Sequence, residues 1–180
     1  MAIVKSFKCV RPLESMVEQV ASLPYDVYDR KEAKDAVSEN PYAFLNIDRP
    51  ETAFDEGFDM YSEKAYKRAY DLYNEFKDKG IFIKDNEDAY YLYELTMNGR
   101  SQTGIVGLAS VDDYLTGVIK KHENTRAEKE VDRIKHVDSV NAQTGPIFLA
   151  YRRNDRLKSI IEENKKNLPI YDFVSSDGIV

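Results

Sequence analysis

The stretch that decides the fold is residues 81–111, IFIKDNEDAYYLYELTMNGRSQTGIVGLASV. Two runs rich in aromatic and apolar residues meet at Asn98-Gly99. Asn-Gly between two such runs is a strong short-range signal for a two-residue β-hairpin turn, because both residues tolerate a left-handed backbone. The sequence therefore predicts an antiparallel hairpin near residues 89–111.

Before the hairpin, two helices are predicted from periodicity and end signals. Between residues 59 and 79 apolar residues recur every three or four positions, and Gly80 follows as a C-cap. Asp29 and Glu32 have the spacing of a capping box, which predicts a helix that ends near Asn40-Pro41. The segments AIVKSFKCVRP (2–12) and EQVASL (18–23) are predicted strands.

After the hairpin, Asp112 or Asp113 is predicted to cap a short helix through Ile119. A second capping box, Thr125 and Glu128, predicts a helix over 125–141. Its predicted buried stripe is Ala127, Val131, Ile134 and Val137. GPIFLAY (145–151) is a predicted strand, NDRLKSIIEEN (154–164) a helix and PIYDFVS (169–175) a last strand. Together these elements predict one α+β domain over 1–180, with a mixed, largely antiparallel sheet, the hairpin at its centre and helices flanking it.

Composition limits the function classes. The 180 residues include 42% hydrophobic and 32% charged residues, as in folded globular proteins. A net charge of -6 argues against a broad contact with nucleic-acid phosphates. No segment resembles a signal peptide or a membrane span, and one cysteine, Cys9, cannot form an internal disulfide. We expect a cytoplasmic protein that binds neither nucleic acid nor membrane; the oligomeric state stays open.

The candidate site lies in residues 120–138, KKHENTRAEKEVDRIKHVD, which contain both histidines of the chain. A helix start favours anions, because its first N–H groups are unpaired and its dipole is positive there. His122, Thr125, Arg126 and Arg133 are the candidate phosphate or carboxylate ligands. The alternative is an ordinary solvated helix face in which Thr125 only caps, Arg126 pairs with Glu130, and Asp132 pairs with Arg133 or His136.

A metal site is the weaker interpretation of the same stretch. His122-Glu123 opens the pattern in which two histidines four residues apart bind zinc, but the fifth position is Arg126. Glu128, Asp132 and His136 follow one another at spacings of four, which also arises on solvated helices. We therefore predict no metal held by protein residues alone.

A second candidate segment is the turn LPYDVYD (23–29), which holds Tyr25 and Asp26. Asp26 is a candidate general base at the mouth of a cleft. Its alternative role is hydrogen bonding within the turn, which is common for Asp. We expect this turn to face the same concave surface as His122, Glu123 and Arg126.

Four segments taken in order, LPYDVYD (23–29), NPYAFLNI (40–47), VGLASVDDYLTGVIKKHENT (106–125) and VDRIKHVDSVNAQTGPIFLAYR (131–152), resemble the domain of unknown function 1015 family over nearly all of the chain. The resemblance rests on His122-Glu123, Thr125, Asp132-Arg133, Asn141 and the segment PIFLAY. Family members are about twice as long as this chain, and a phosphate-binding motif follows further on in them. The resemblance therefore implies that the chain is the N-terminal part of such a protein.

More distantly, the family is similar to the ParB and sulfiredoxin-like fold, which includes nucleotide-binding proteins and free serine kinases. The resemblance implies a nucleotide-dependent enzyme, such as a kinase for a small, amino-acid-like molecule, with a nucleotide and Mg²⁺ as cofactors. His122 and Arg126 would then hold phosphate, and Glu123 or Asp26 would act as general base. Asp132 would orient Arg133 or bind Mg²⁺, with Tyr25 and Asn141 in supporting positions.

Two other function classes remain open at this stage. A non-catalytic module would use the same charges to recognise a small anion without chemistry. A purely structural or interaction domain would present its Tyr-rich surface to a partner. A carboxylate within reach of the bound anion favours the enzyme.

Overall fold

The computed structural model describes residues 2–122, 124–175 and 178–179. The chain divides into two compact units, each built from separated stretches of sequence. Unit 1 comprises Met1–Glu14, Lys84–Glu123 and Ile147–Val180, and unit 2 comprises Ser15–Ile83 and Asn124–Pro146. The prediction of a single domain over 1–180 stays a prediction.

The regular structure consists of helices and short antiparallel sheets. The fold class is therefore α+β, as predicted. The strands are β1 (Val4–Lys5), β2 (Val10–Pro12), β3 (Phe82–Lys84), β4 (Tyr91–Met97), β5 (Arg100–Val106) and β6 (Leu108–Ala109). The helices are α1 (Val17–Val20), α2 (Arg30–Ser38), α3 (Leu45–Asp48), α4 (Glu63–Asp78), α5 (Val111–Leu115), α6 (Ala127–Val140) and α7 (Asp155–Asn164). Within the described ranges, no helix is long and apolar enough to cross a bilayer.

Unit 1 contains the predicted hairpin. Strands β4 and β5 pair antiparallel, from Tyr91 opposite Val106 to Met97 opposite Arg100. Asn98 and Gly99 have φ angles of 53° and 75°, so both turn residues adopt the left-handed conformation that the Asn-Gly signal predicts. Strand β1 pairs antiparallel with β6. The hairpin prediction is confirmed in position, direction and turn.

Unit 2 is built around α4. The helix begins at the N-cap Ser62, whose hydroxyl accepts from the Ala65 N–H, and it buries Ala65, Tyr66, Ala69, Leu72 and Phe76. Helices α3 and α6 both pack against it. Helix α2 carries the predicted capping box, since the Asp29 carboxyl accepts from the Glu32 N–H and Glu32 accepts from the Asp29 N–H. Side-chain caps therefore set the starts of α2 and α4.

Three predicted strands are wrong. The first half of EQVASL lies in helix α1 and its second half forms no strand, and neither 145–151 nor 169–175 forms a strand among its described residues. Phe148 in the second of these runs is 79% exposed. An apolar run becomes a strand only where another strand accepts its hydrogen bonds, and the run itself does not supply that partner.

Helix α6 departs from the sequence prediction at its start and in its orientation. It begins at Ala127 with Arg126 as N-cap and has no side-chain cap, so the predicted capping box of Thr125 and Glu128 is wrong. Its buried residues are Asp132, His136 and Val140. The predicted buried residues Val131 and Ile134 are instead 52% and 61% exposed.

Helix α5 begins and ends earlier than predicted: Ser110 rather than Asp112 or Asp113 caps it, and it ends at Leu115 instead of Ile119.

Candidate functional site

The candidate site of unit 2 centres on two adjacent residues of α6, Asp132 and Arg133. The Arg133 guanidinium donates to one oxygen of Asp132 through Nε at 3.2 Å and through Nη2 at 3.0 Å. Its carbon Cζ lies 4.4 Å from the centre of the Tyr25 ring, within the range of a cation–π contact. Asp132 thus holds one edge of the Arg133 guanidinium, and the Tyr25 ring covers one of its faces.

Asp132 is buried and uses its other oxygen for a second partner. The Tyr66 hydroxyl of α4 donates to that oxygen at 2.9 Å. Burial, and then this hydrogen bond, raise the pKa of Tyr66, which keeps the phenol protonated as a donor. With both oxygens engaged, Asp132 acts as the support that orients Arg133.

One turn further along α6, His136 is 1% exposed. Its Nε2 lies 2.9 Å from the Ile47 carbonyl oxygen of α3, and its Nδ1 is buried without a hydrogen-bond partner among the described residues. Burial lowers the pKa of His136. A neutral ring that donates from Nε2 to Ile47 leaves a bare lone pair on Nδ1.

Asp48, at the end of α3, is also buried, and it accepts a hydrogen bond of 2.9 Å from the Thr144 hydroxyl. Burial raises its pKa, an effect that this hydrogen bond and the charges of His136 and Arg133 oppose. The buried face of α6 is therefore lined by polar groups from α3, α4 and the segment after α6. We call Asp48, Tyr66, Asp132, Arg133 and His136 the polar cluster.

The other predicted site residues of unit 2 lie at its surface. Asp26 is exposed in the 3-10 turn Tyr25–Val27, next to the residue whose ring lies against Arg133. Asn141 is the C-cap of α6 with φ 55° and ψ 39°, the left-handed conformation that Asn tolerates. Thr125 is exposed, and exposed Arg126 pairs with Glu128 at 3.4 Å rather than with Glu130.

Two predicted site residues remain, the anion ligand His122 and the catalytic residue Glu123. His122 lies in unit 1 and is exposed, and its phosphate role stays a prediction. Glu123 lies outside the described residues. Among the predicted site residues, the structure brings Asp132, Arg133 and Tyr25 into contact, and their roles stay predictions.

The arrangement of potential metal ligands among the described residues gives no support for a metal site. Across the described ranges, no three His, Cys, Asp or Glu side chains come together in an arrangement suited to a metal ion. The row of Glu128, Asp132 and His136 is split, because Glu128 is exposed whereas the other two are buried.

The comparison with protein families gives a match over nearly the whole chain. The model of the family described as "Protein of unknown function (DUF1015)" matches residues 4–180. The chain belongs to this family. No curated protein matches the chain, and no solved structure matches it either. For this DUF1015 chain, function has to be argued from its own side chains.

Sequence reasoning missed two members of the polar cluster of the DUF1015 chain, Asp48 and Tyr66. Tyr66 follows the buried Ala65 and precedes Ala69 and Leu72 on α4, so helical periodicity could have placed it on the buried side. Asp48 closes the segment NPYAFLNI-Asp, and it carries no local signal that distinguishes it from a turn Asp.

Proposed function

We propose that unit 2 binds a small phosphate- or carboxylate-bearing ligand through Arg133, as the anion site of a nucleotide-dependent enzyme. The observation that carries this proposal is the fixed Arg133 guanidinium, which contacts Asp132 along one edge and Tyr25 on one face while 28% of its side chain stays exposed. Arginine has five N–H donors, and two point at Asp132. The other donors remain for a ligand.

Pre-organisation is the physical reason to expect useful affinity. A long side chain normally loses rotamer freedom when it captures an anion, which costs about 0.5–1.5 kcal/mol per side chain. Asp132 and Tyr25 already restrict Arg133 before any ligand arrives. A planar, fixed guanidinium also matches two oxygens of a phosphate or carboxylate at once, which a lysine does not.

The reaction that fits this site and the family resemblance is phosphoryl transfer from a nucleotide to the hydroxyl of a small, amino-acid-like molecule. Asp26 supports it, because this exposed carboxyl group lies in the same turn as Tyr25 and can accept a proton from a substrate hydroxyl. Mg²⁺ would enter with the nucleotide and neutralise phosphate charge when bound. In this scheme Asp132 orients Arg133 rather than binding the metal.

The same proposal includes the distant likeness to the ParB and sulfiredoxin-like fold and a cytoplasmic location, where nucleotides are plentiful. Thr125 and Arg126 of unit 2 would be additional phosphate contacts; His122 as a phosphate ligand and Glu123 as an alternative base are proposed on residue type and the resemblance. These roles rest on the resemblance and on residue type, whereas the role of Arg133 rests on its contacts.

Binding is tested with isothermal titration calorimetry, using sodium phosphate, ADP and ATP with Mg²⁺. Arg133→Gln should weaken binding of the preferred ligand by on the order of tenfold or more, because it removes charge-assisted hydrogen bonds. Arg152→Gln is the matched control, since Arg152 is an exposed arginine of unit 1. Equal affinities for Arg133→Gln and the unsubstituted chain would refute the anion site.

Catalysis is tested separately from binding, with ³¹P NMR on ATP, Mg²⁺ and hydroxyl-bearing amino acids. If the chain transfers phosphate, Asp26→Asn should retain nucleotide binding and lose transfer. If it binds the nucleotide without transferring phosphate to any of them, the non-catalytic ligand-binding module is the better description.

A further inference from the structure

The turn that carries Tyr25 has little structure of its own. It is a three-residue 3-10 turn, Tyr25–Val27, with Pro24 as N-cap and no side-chain cap. One hydrogen bond of the turn runs from the Val27 N–H to the Pro24 carbonyl oxygen at 3.2 Å. A turn this short does not hold an aromatic ring in place without further contacts.

Arg49 supplies such contacts through hydrogen bonds to the backbone of the turn. Its Nη1 donates to the Tyr25 carbonyl oxygen at 3.0 Å and to the Tyr28 carbonyl oxygen at 2.9 Å. The two carbonyls bracket the turn at its first residue and just after its last. One guanidinium nitrogen therefore fixes both ends.

Arg49 is in turn held by Glu51. Its Nε lies 2.6 Å from an oxygen of Glu51, and both residues are buried. A buried ion pair is weak evidence for stability, because removing two charges from water offsets most of their attraction. Such a pair is better explained by the geometry that it imposes, and here that geometry is the conformation of the turn.

We infer that Arg49 is a positioning residue of the anion site: it holds the Tyr25–Tyr28 turn so that the Tyr25 ring lies against Arg133. This inference rests on the proposed function for its consequence, anion binding, but not for the turn itself. Two arginines thus act in series. Arg49 fixes the backbone of Tyr25, and the Tyr25 ring fixes the guanidinium that meets the ligand.

The test uses Arg49→Lys, which keeps a positive charge beside Glu51. A lysine ammonium lacks the planar fork that binds Glu51 through one nitrogen and two carbonyls through another. Hydrogen exchange of the amides of residues 25–28 should accelerate by roughly tenfold or more, whereas exchange in the buried part of α4 should change much less. Phe76→Leu, a substitution in the α4 core away from the turn, is the control for general destabilisation. Unchanged exchange at residues 25–28 in folded Arg49→Lys would overturn the inference.

A double-mutant cycle on phosphate affinity separates positioning from a merely structural role. Arg49→Lys should weaken phosphate binding by on the order of tenfold in the unsubstituted chain and have little further effect in the Tyr25→Ala background, because it acts through Tyr25. Equal losses in both backgrounds would show that Arg49 does not act through this ring. If the unsubstituted chain binds none of phosphate, ADP and ATP, the proposed function fails, and the exchange measurement alone decides whether Arg49 holds the turn.

Discussion

Removing the hydroxyl group of Tyr66 measures how much the buried support of Arg133 contributes to folding. In Tyr66→Phe, Asp132 loses the donor at 2.9 Å from one of its oxygens and keeps Arg133 on the other. Leaving a buried acceptor unpaired costs about 1–3 kcal/mol, and hydrogen bonds to charged groups are worth about 1.5–3 kcal/mol. Because Arg133 remains on the other oxygen, we expect a loss below the upper end of both ranges, about 2 kcal/mol.

The assay is urea unfolding followed by circular dichroism, supported by thermal unfolding. A loss of about 2 kcal/mol corresponds to a fall in Tm of roughly 4–8 °C for a chain of this size. Tyr70→Phe is the matched control, because Tyr70 lies on the same helix and is 46% exposed. The free energy of unfolding of Tyr70→Phe should lie within about 0.5 kcal/mol of that of the unsubstituted chain. If the two variants are equally stable, the contact between Tyr66 and Asp132 does not support the site.

Two further predictions concern α2 and the polar cluster. Asp29→Ala removes the capping box with Glu32 and should cost about 0.5–2 kcal/mol in urea unfolding; a smaller change would mean that the helix start is held by other contacts. Burial lowers the pKa of His136 below its ordinary value of 6.5, so the stability that it contributes is present above pH 6.5 and is lost as the pH falls from there towards its folded pKa. His136→Gln, whose amide can still donate to Ile47, should lack this loss, and parallel pH–stability curves would contradict the assignment. Asp48 should have the opposite pH dependence, because its pKa is raised in the folded state. The stability that Asp48 contributes is present below pH 3.8, its ordinary pKa, and is lost as the pH rises through the folded pKa.

Sequence predicted best the features that a few neighbouring residues determine. The Asn98-Gly99 turn needs only two residues that accept positive φ, and both have it. The Asp29-Glu32 box needs only two side chains three residues apart. In each case the energetics are local, so no knowledge of the rest of the chain is required.

The same local rule failed at Thr125-Glu128, which has equally suitable spacing. Helix α6 starts after Arg126, and the Glu128 side chain pairs with Arg126 instead of the backbone. A charged neighbour can thus compete with a cap for the same carboxylate. The strand predicted over 145–151 failed for a different reason, since strand formation depends on a distant partner that one-dimensional patterns do not identify.

The candidate site was predicted in part because Asp132 and Arg133 are adjacent, and adjacency makes an ion pair a simple alternative. What the pattern did not predict is that Tyr25, more than a hundred positions earlier, meets Arg133. The expectation that the turn holding Tyr25 faces the same surface as His122, Glu123 and Arg126 stays a prediction. The base role of Asp26 stays a prediction, because contacts alone do not assign a proton transfer.

The orientation of α6 is the strongest reason to look for function in unit 2. Hydrophobicity alone would bury Val131 and Ile134, and burial of each such side chain is worth about 1.5–3 kcal/mol. The helix instead buries Asp132 and His136, whose polar atoms need partners to avoid a desolvation cost. Those partners come from other elements, Tyr66 of α4 and the Ile47 carbonyl of α3, so several segments have to agree on this arrangement. Sequences that break a local rule at several sites together usually do so where a site has to be built.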